Sequence, residues 1–131
     1  MEKRLKRLSL ALFCIYILAV VALCVIQTEE LPELPKHFLG IPFDKIAHFI
    51  MFLPFVILGY TAFMPTEQSI WRKIAVLGIF VITGCVFAFS TEKMQAMTAY
   101  RSYEITDMVA DGSGLLFGCL ITLAYIVKTH K

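Results

Sequence analysis

The stretch YRSYEITDMVADGSGLLFG, Tyr100 to Gly118, decides the fold. Within it Asp107, Asp111, Gly114 and Gly118 fall at i, i+4, i+7 and i+11. At about 100° per residue, that spacing puts all four on one narrow helical face. Glu104 precedes the face, and Thr122 and Tyr125 continue it. The flanks are apolar enough for lipid, so the stretch reads as the entry of a membrane helix that carries carboxylates. One Asp at mid-bilayer costs on the order of 3 kcal/mol, and such groups mark sites. The remaining chain reads as the scaffold that keeps them out of lipid.

Of the 131 residues, 59% are hydrophobic and 17% charged, with a mean hydropathy of +0.77. A soluble domain of this size cannot hide that much apolar surface, so the class is integral membrane. A span takes about 20 residues, which leaves room for four spans, short loops and no extramembrane domain. Apolar runs over residues 8–26, 45–64, 74–97 and 106–127 predict a single all-α membrane domain, an antiparallel four-helix bundle. The first run is long for a signal peptide, and no A-x-A cleavage site follows it. Residues 27–43 hold Glu29, Glu30 and Glu33 with Pro32, Pro35 and Pro42, and read as a loop lying against the membrane interface. Pro54 predicts a kink in the second span.

Charge distribution sets the expected orientation. A cytoplasmic N-terminus puts Lys3, Arg4, Lys6, Arg7, Arg72, Lys73, Lys128 and Lys131 inside, eight of the twelve basic residues. The positive-inside rule therefore favours both termini in the cytoplasm. The N-terminal basic cluster is then a topology signal, and no nucleic-acid partner is expected. Cys14, Cys24, Cys85 and Cys119 sit inside apolar runs and read as packing residues. No compact metal-ligand motif stands out and no cofactor is identified, so no metal is expected.

That topology gathers Asp44, Lys45, His48, Glu92, Gln95, Arg101, Asp107 and Asp111 at one membrane face. Most have a structural explanation as well as a functional one. Asp44 suits an N-cap, and His48 can bond to a neighbouring helix. Glu92 can end its helix in water. Its own face runs back through Ala88, Cys85, Val81 and Gly78, a small-residue stripe for close packing. Thr106 can cap the last helix while Asp107 complements its dipole. Asp111, a turn deeper, has no such explanation and needs Arg101, His48, a bound cation or a proton. Gly114 and Gly118 form a GxxxG that brings a neighbouring helix to the carboxylates.

Three motifs occur in order: D-K-x-x-H-F at Asp44 to Phe49, E-x-x-Q at Glu92 to Gln95, and R-x5-D-x3-D-x2-G from Arg101 to Gly114. Together they resemble the VanZ-like membrane protein family over most of the chain. The family pattern usually has Asn where this chain has Asp111. The resemblance implies a small bacterial inner-membrane protein. The family takes its name from a member associated with reduced susceptibility to teicoplanin-type glycopeptides.

Three functions are open at this point. A polar pocket at the outer leaflet can recognise a membrane lipid or a lipid-linked envelope precursor by its head group, with helix N-termini, Arg101 and Lys45 toward phosphate oxygens. An intramembrane hydrolase or transferase can act on a lipid-linked phosphate. It would use His48 as base or nucleophile, Asp44 or Asp111 as its orienter, and Arg101 to stabilise negative charge. A structural or partner-binding subunit needs the polar cluster only to lock four helices in register.

Overall fold

The computed structural model describes residues 1–26, 37–64, 69–98 and 103–131. Helices make up 87% of these, with no barrel or large sheet. They are α1 (Glu2–Val25), α2 (Phe43–Phe63), α3 (Ile70–Ala96) and α4 (Ile105–His130), preceded at α2 by a hairpin of β1 (His37–Phe38) and β2 (Ile41–Pro42). All four helices are long and apolar enough to cross a membrane, so the chain is a multi-pass membrane protein. Outward-facing Leu18, Ile82, Val86, Val109 and Leu116 give the bundle a surface that suits lipid. The helices start earlier than the apolar runs, α1 at Glu2 and α3 at Ile70. Hydropathy detects the part of a helix inside lipid, whereas backbone hydrogen bonding carries on through polar turns at the interface.

Local chemistry sets the helix ends. Ser69 caps α3, its hydroxyl oxygen accepting from the Arg72 N–H at 3.4 Å. Met64, just before Pro65, is pushed out of helical geometry to ψ 122°, which ends α2. In the hairpin His37 faces Pro42 and Phe38 faces Ile41. Its two turn residues both have positive φ, Leu39 at 50° and Gly40 at 79°, as a tight turn of the I′ kind demands. Of the expected interfacial loop, residues 27–36 lie outside the described residues. Pro54 is accommodated inside α2, which remains one helix. It leaves the Ile50 carbonyl without a helical donor, and Tyr16 of α1 donates its hydroxyl to the adjoining Met51 carbonyl.

The core lies around α2. Phe52, Phe55, Val56 and Tyr60 pack with Leu77 and Ala88 of α3 and with Leu115 and Ile126 of α4. Phe13 of α1 meets Phe55 edge-on at 5.4 Å between ring centroids. Helices α2 and α4 run in the same direction, and their backbones come close at the two glycines. A Cβ at Gly114 would fall on the carbonyl oxygen of Phe49, and one at Gly118 would lie 2.5 Å from that of Leu53. Backbone cannot yield, so the GxxxG sets this spacing.

Two expected faces are corrected. Tyr125 points outward, and the buried face of α4 passes from Thr122 to Ile126. Tyr125 falls at the same ideal angle as Asp107, but the buried stripe advances in four-residue steps from Gly118 through Thr122 to Ile126 and drifts by about 40° at each, away from Tyr125. On α3 the close-packing residues are Gly84 and Ala88, not Cys85 and Gly78. Cys85 is exposed, and a Cβ at Gly78 would meet nothing within 4 Å.

Candidate functional site

At the end where α2 and α4 begin and α3 finishes, the ionisable side chains stack in two layers. Because α2 and α4 run in register, Lys45 lies beside Glu104 and Asp107, and His48, one turn further, lies beside Asp107 and Asp111. Two helix N-termini at the same end add partial positive charge there.

The outer layer closes around an ammonium. Lys45 Nζ lies 2.9 Å from Asp44 Oδ2 and 2.6 Å from Glu104 Oε2, and also contacts Asp107 Oδ1. The hydrogen bond and charge of Lys45 hold the Glu104 carboxyl below the usual carboxylate range. Lys45 therefore has little donor capacity left for an outside phosphate.

The inner layer joins three helices. His48 Nδ1 is 2.8 Å from Asp111 Oδ1, and His48 Nε2 is 3.7 Å from Asp107 Oδ2. Glu92 Oε1 accepts the backbone N–H of Glu104 at 3.0 Å. These side chains are out of solvent, with Asp111 0% exposed, Glu92 1% and His48 6%. The second oxygens, Glu92 Oε2 and Asp111 Oδ2, have no hydrogen-bond partner among the described residues. A buried acceptor left unmet costs about 1–3 kcal/mol, and more if charged. One nitrogen of His48 and one oxygen each of Glu92 and Asp111 lie within 4.8 Å of one another.

Seven of the eight residues named from the sequence fall within the described residues, and six of them are brought together. Gln95 is the exception. It is buried but turned to α1, with its amide nitrogen 3.7 Å from Cys24 Sγ. Arg101 lies outside the described residues. Asp44 is not the N-cap of α2: Pro42 holds that position, and Asp44 sits in the first turn paired with Lys45. Thr106 does not cap α4 either. Glu104 precedes the helix in extended geometry, and the Thr106 hydroxyl meets its carboxylate at 3.3 Å. Glu92 is enclosed and not solvated. Lys93 points elsewhere, over the Phe89 and Tyr103 rings at 5.4 and 5.3 Å.

Glu104, placed just before the acidic face by the sequence but not among the eight named residues, joins the site, touching Lys45 by its side chain and Glu92 by its backbone. Its position three residues before Asp107 was the available signal. The acids Asp44, Glu92, Glu104, Asp107 and Asp111 outnumber Lys45 and His48, so the cluster favours donors and cations over bare anions. Among the described residues a groove of about 500 Å³ lies at the opposite end, lined by Leu120, Leu123, Ala124, Val127, Lys128 and Lys131.

Comparison with known proteins agrees with the ordered motifs. Neither curated proteins nor solved structures gave a match. The family model described as VanZ/LLP1 matches residues 12–127, from the middle of α1 almost to the end of α4. With nearly the whole chain covered, this protein belongs to the VanZ/LLP1 family.

Proposed function

We propose that the polar end of the bundle recognises the head group of a membrane lipid, such as a lipid-linked envelope precursor, at the outer leaflet of a bacterial inner membrane. The observation that carries this reading is the burial of Asp111, Glu92 and His48 beneath the partly exposed Asp44, Lys45 and Glu104. Intramembrane acids held at such cost are retained for a ligand more often than for packing. The distribution of Lys and Arg supports an outward-facing polar end with both termini cytoplasmic. Exposed Phe38, Leu39 and Ile41 of the hairpin suit the lipid interface beside it.

The sign of the charge narrows the ligand. Five carboxylates favour a head group that offers amine or hydroxyl donors, as a glycan or amino-group carrier does. Lys45 is too occupied by three carboxylates to make a phosphate contact, so any such contact falls to other donors. A link to glycopeptide susceptibility follows only if that head group belongs to a cell-wall intermediate. The test is a comparison of lipids retained after gentle extraction. Wild-type protein should be enriched in one envelope lipid over the bulk membrane, and His48→Ala and Asp111→Asn should lose that enrichment. A wild-type profile equal to the bulk membrane contradicts the proposal. If the variants then lose only stability, a structural role is favoured.

One contact favours a second reading, hydrolysis or transfer at a lipid-linked phosphate. In the neutral tautomer whose Nδ1–H donates to Asp111, His48 Nε2 is left as an acceptor, the arrangement of an oriented general base. Phosphate release from a lipid-linked substrate, abolished by His48→Ala, would select it.

A further inference from the structure

We propose that His48, Glu92 and Asp111 form a binding site for one divalent transition-metal ion of the zinc class. Three helices contribute one ligand each: α2 an imidazole nitrogen, α3 and α4 a carboxylate oxygen. The three atoms already lie within 4.8 Å of one another. Two protein ligands on one ion are about 3–4 Å apart when each bond is 2.0–2.2 Å, so small side-chain shifts complete the geometry.

A second, independent observation points to a ligand. Glu92 and Asp111 are almost fully buried, and each has one carboxylate oxygen with no hydrogen-bond partner among the described residues. The outer layer shows how this protein handles such a cluster. Asp44, Glu104 and Asp107 form a comparable triad, and there the Lys45 ammonium supplies the cation. The inner triad has no fixed positive charge among the described residues, only an imidazole that is cationic when protonated. A divalent ion would balance two buried carboxylates and offer their unmet oxygens a partner.

Ligand type selects the metal. Imidazole with carboxylates suits Zn²⁺, and also Mn²⁺ or Fe²⁺, over Ca²⁺ and Mg²⁺, which prefer oxygen alone. Three protein ligands leave a coordination position for water or an oxygen-donor ligand. The site does not rest on head-group recognition, because metal binding is measured without lipid.

The experiment is zinc titration of tag-free, chelator-stripped protein in detergent, followed by X-ray absorption at the zinc edge. Folding is checked by circular dichroism. Wild type should take up one Zn²⁺ per chain in preference to Mg²⁺, with a nitrogen and oxygen shell that includes imidazole. Asp111→Asn and Glu92→Gln should each weaken uptake at least tenfold, while His37→Gln and His130→Gln leave it unchanged. No uptake by folded wild type, equal uptake by folded Asp111→Asn, or sulfur in the first shell overturns the proposal. Should the inner variants fail to fold, the wild-type stoichiometry and spectrum still decide it.

Discussion

Asp111 and His48 are separated by 63 positions in the chain and sit on different helices, yet their buried side chains meet at 2.8 Å. Neither residue is replaceable in the same way. His48→Ala leaves the Asp111 carboxylate without its partner, and breaking a buried pair from that side costs about 3–5 kcal/mol. Asp111→Ala leaves a neutral imidazole short of one hydrogen bond, a loss of about 1–3 kcal/mol. In chelator-treated detergent, unfolding should therefore show His48→Ala as the more damaging substitution. Equal losses would contradict an Asp111 carboxylate that stays charged when its partner is removed.

The glycines of α4 separate into two classes. Gly114→Ala and Gly118→Ala drive a methyl into the Phe49 and Leu53 carbonyls, and should each destabilise by about 1–3 kcal/mol. Gly112→Ala meets nothing within 4 Å, and should be neutral or stabilising by up to about 1 kcal/mol through helix propensity. Mixed-micelle unfolding of the three variants checks the order.

Tyr16 links α1 to α2 through the Met51 carbonyl. Tyr16→Phe keeps the ring contact with Phe55 and removes only the hydroxyl. The expected loss is about 0.5–1.5 kcal/mol. Faster amide exchange at the Pro54 turn of α2 should accompany it, read by hydrogen-exchange mass spectrometry.

The Lys45–Glu104 pair carries an acid-side signature. Glu104 titrates below its ordinary value when folded, so the unfolded chain binds its proton first as pH falls. The contribution is thus fully present above the unfolded carboxylate pKa of about 4.3 and is lost as pH drops through the lower folded value. The melting-temperature gap between wild type and Glu104→Gln should be constant at neutral pH and shrink as the solution is acidified below that point. A gap independent of pH would remove the ion pair from the account.

Much of this arrangement was legible from residue spacing. The four-residue steps from Asp107 to Asp111 and from Gly114 to Gly118 set the buried face of α4, and alternation of spans set which polar groups share an end. Spacing along a helix does not say where that face points around the bundle axis. Gln95, three residues from Glu92, therefore lies against Cys24 of α1 and misses the site, while Glu104 enters it. The residues of the inner triad were all named, but not which carboxylates His48 would meet. They come from three helices and make no local motif, so only the packing shows that His48, Glu92 and Asp111 meet in one layer.

The central claim is that His48 and Glu92, on helices α2 and α3, serve one shared site. The most direct measurement is a double-mutant cycle on lipid retention: the fraction of chains carrying lipid by native mass spectrometry for wild type, His48→Gln, Glu92→Gln and the double variant. A shared site requires each single substitution to lower retention and the second to add little to the first. Independent losses that simply add, or no loss in folded single variants, would contradict it.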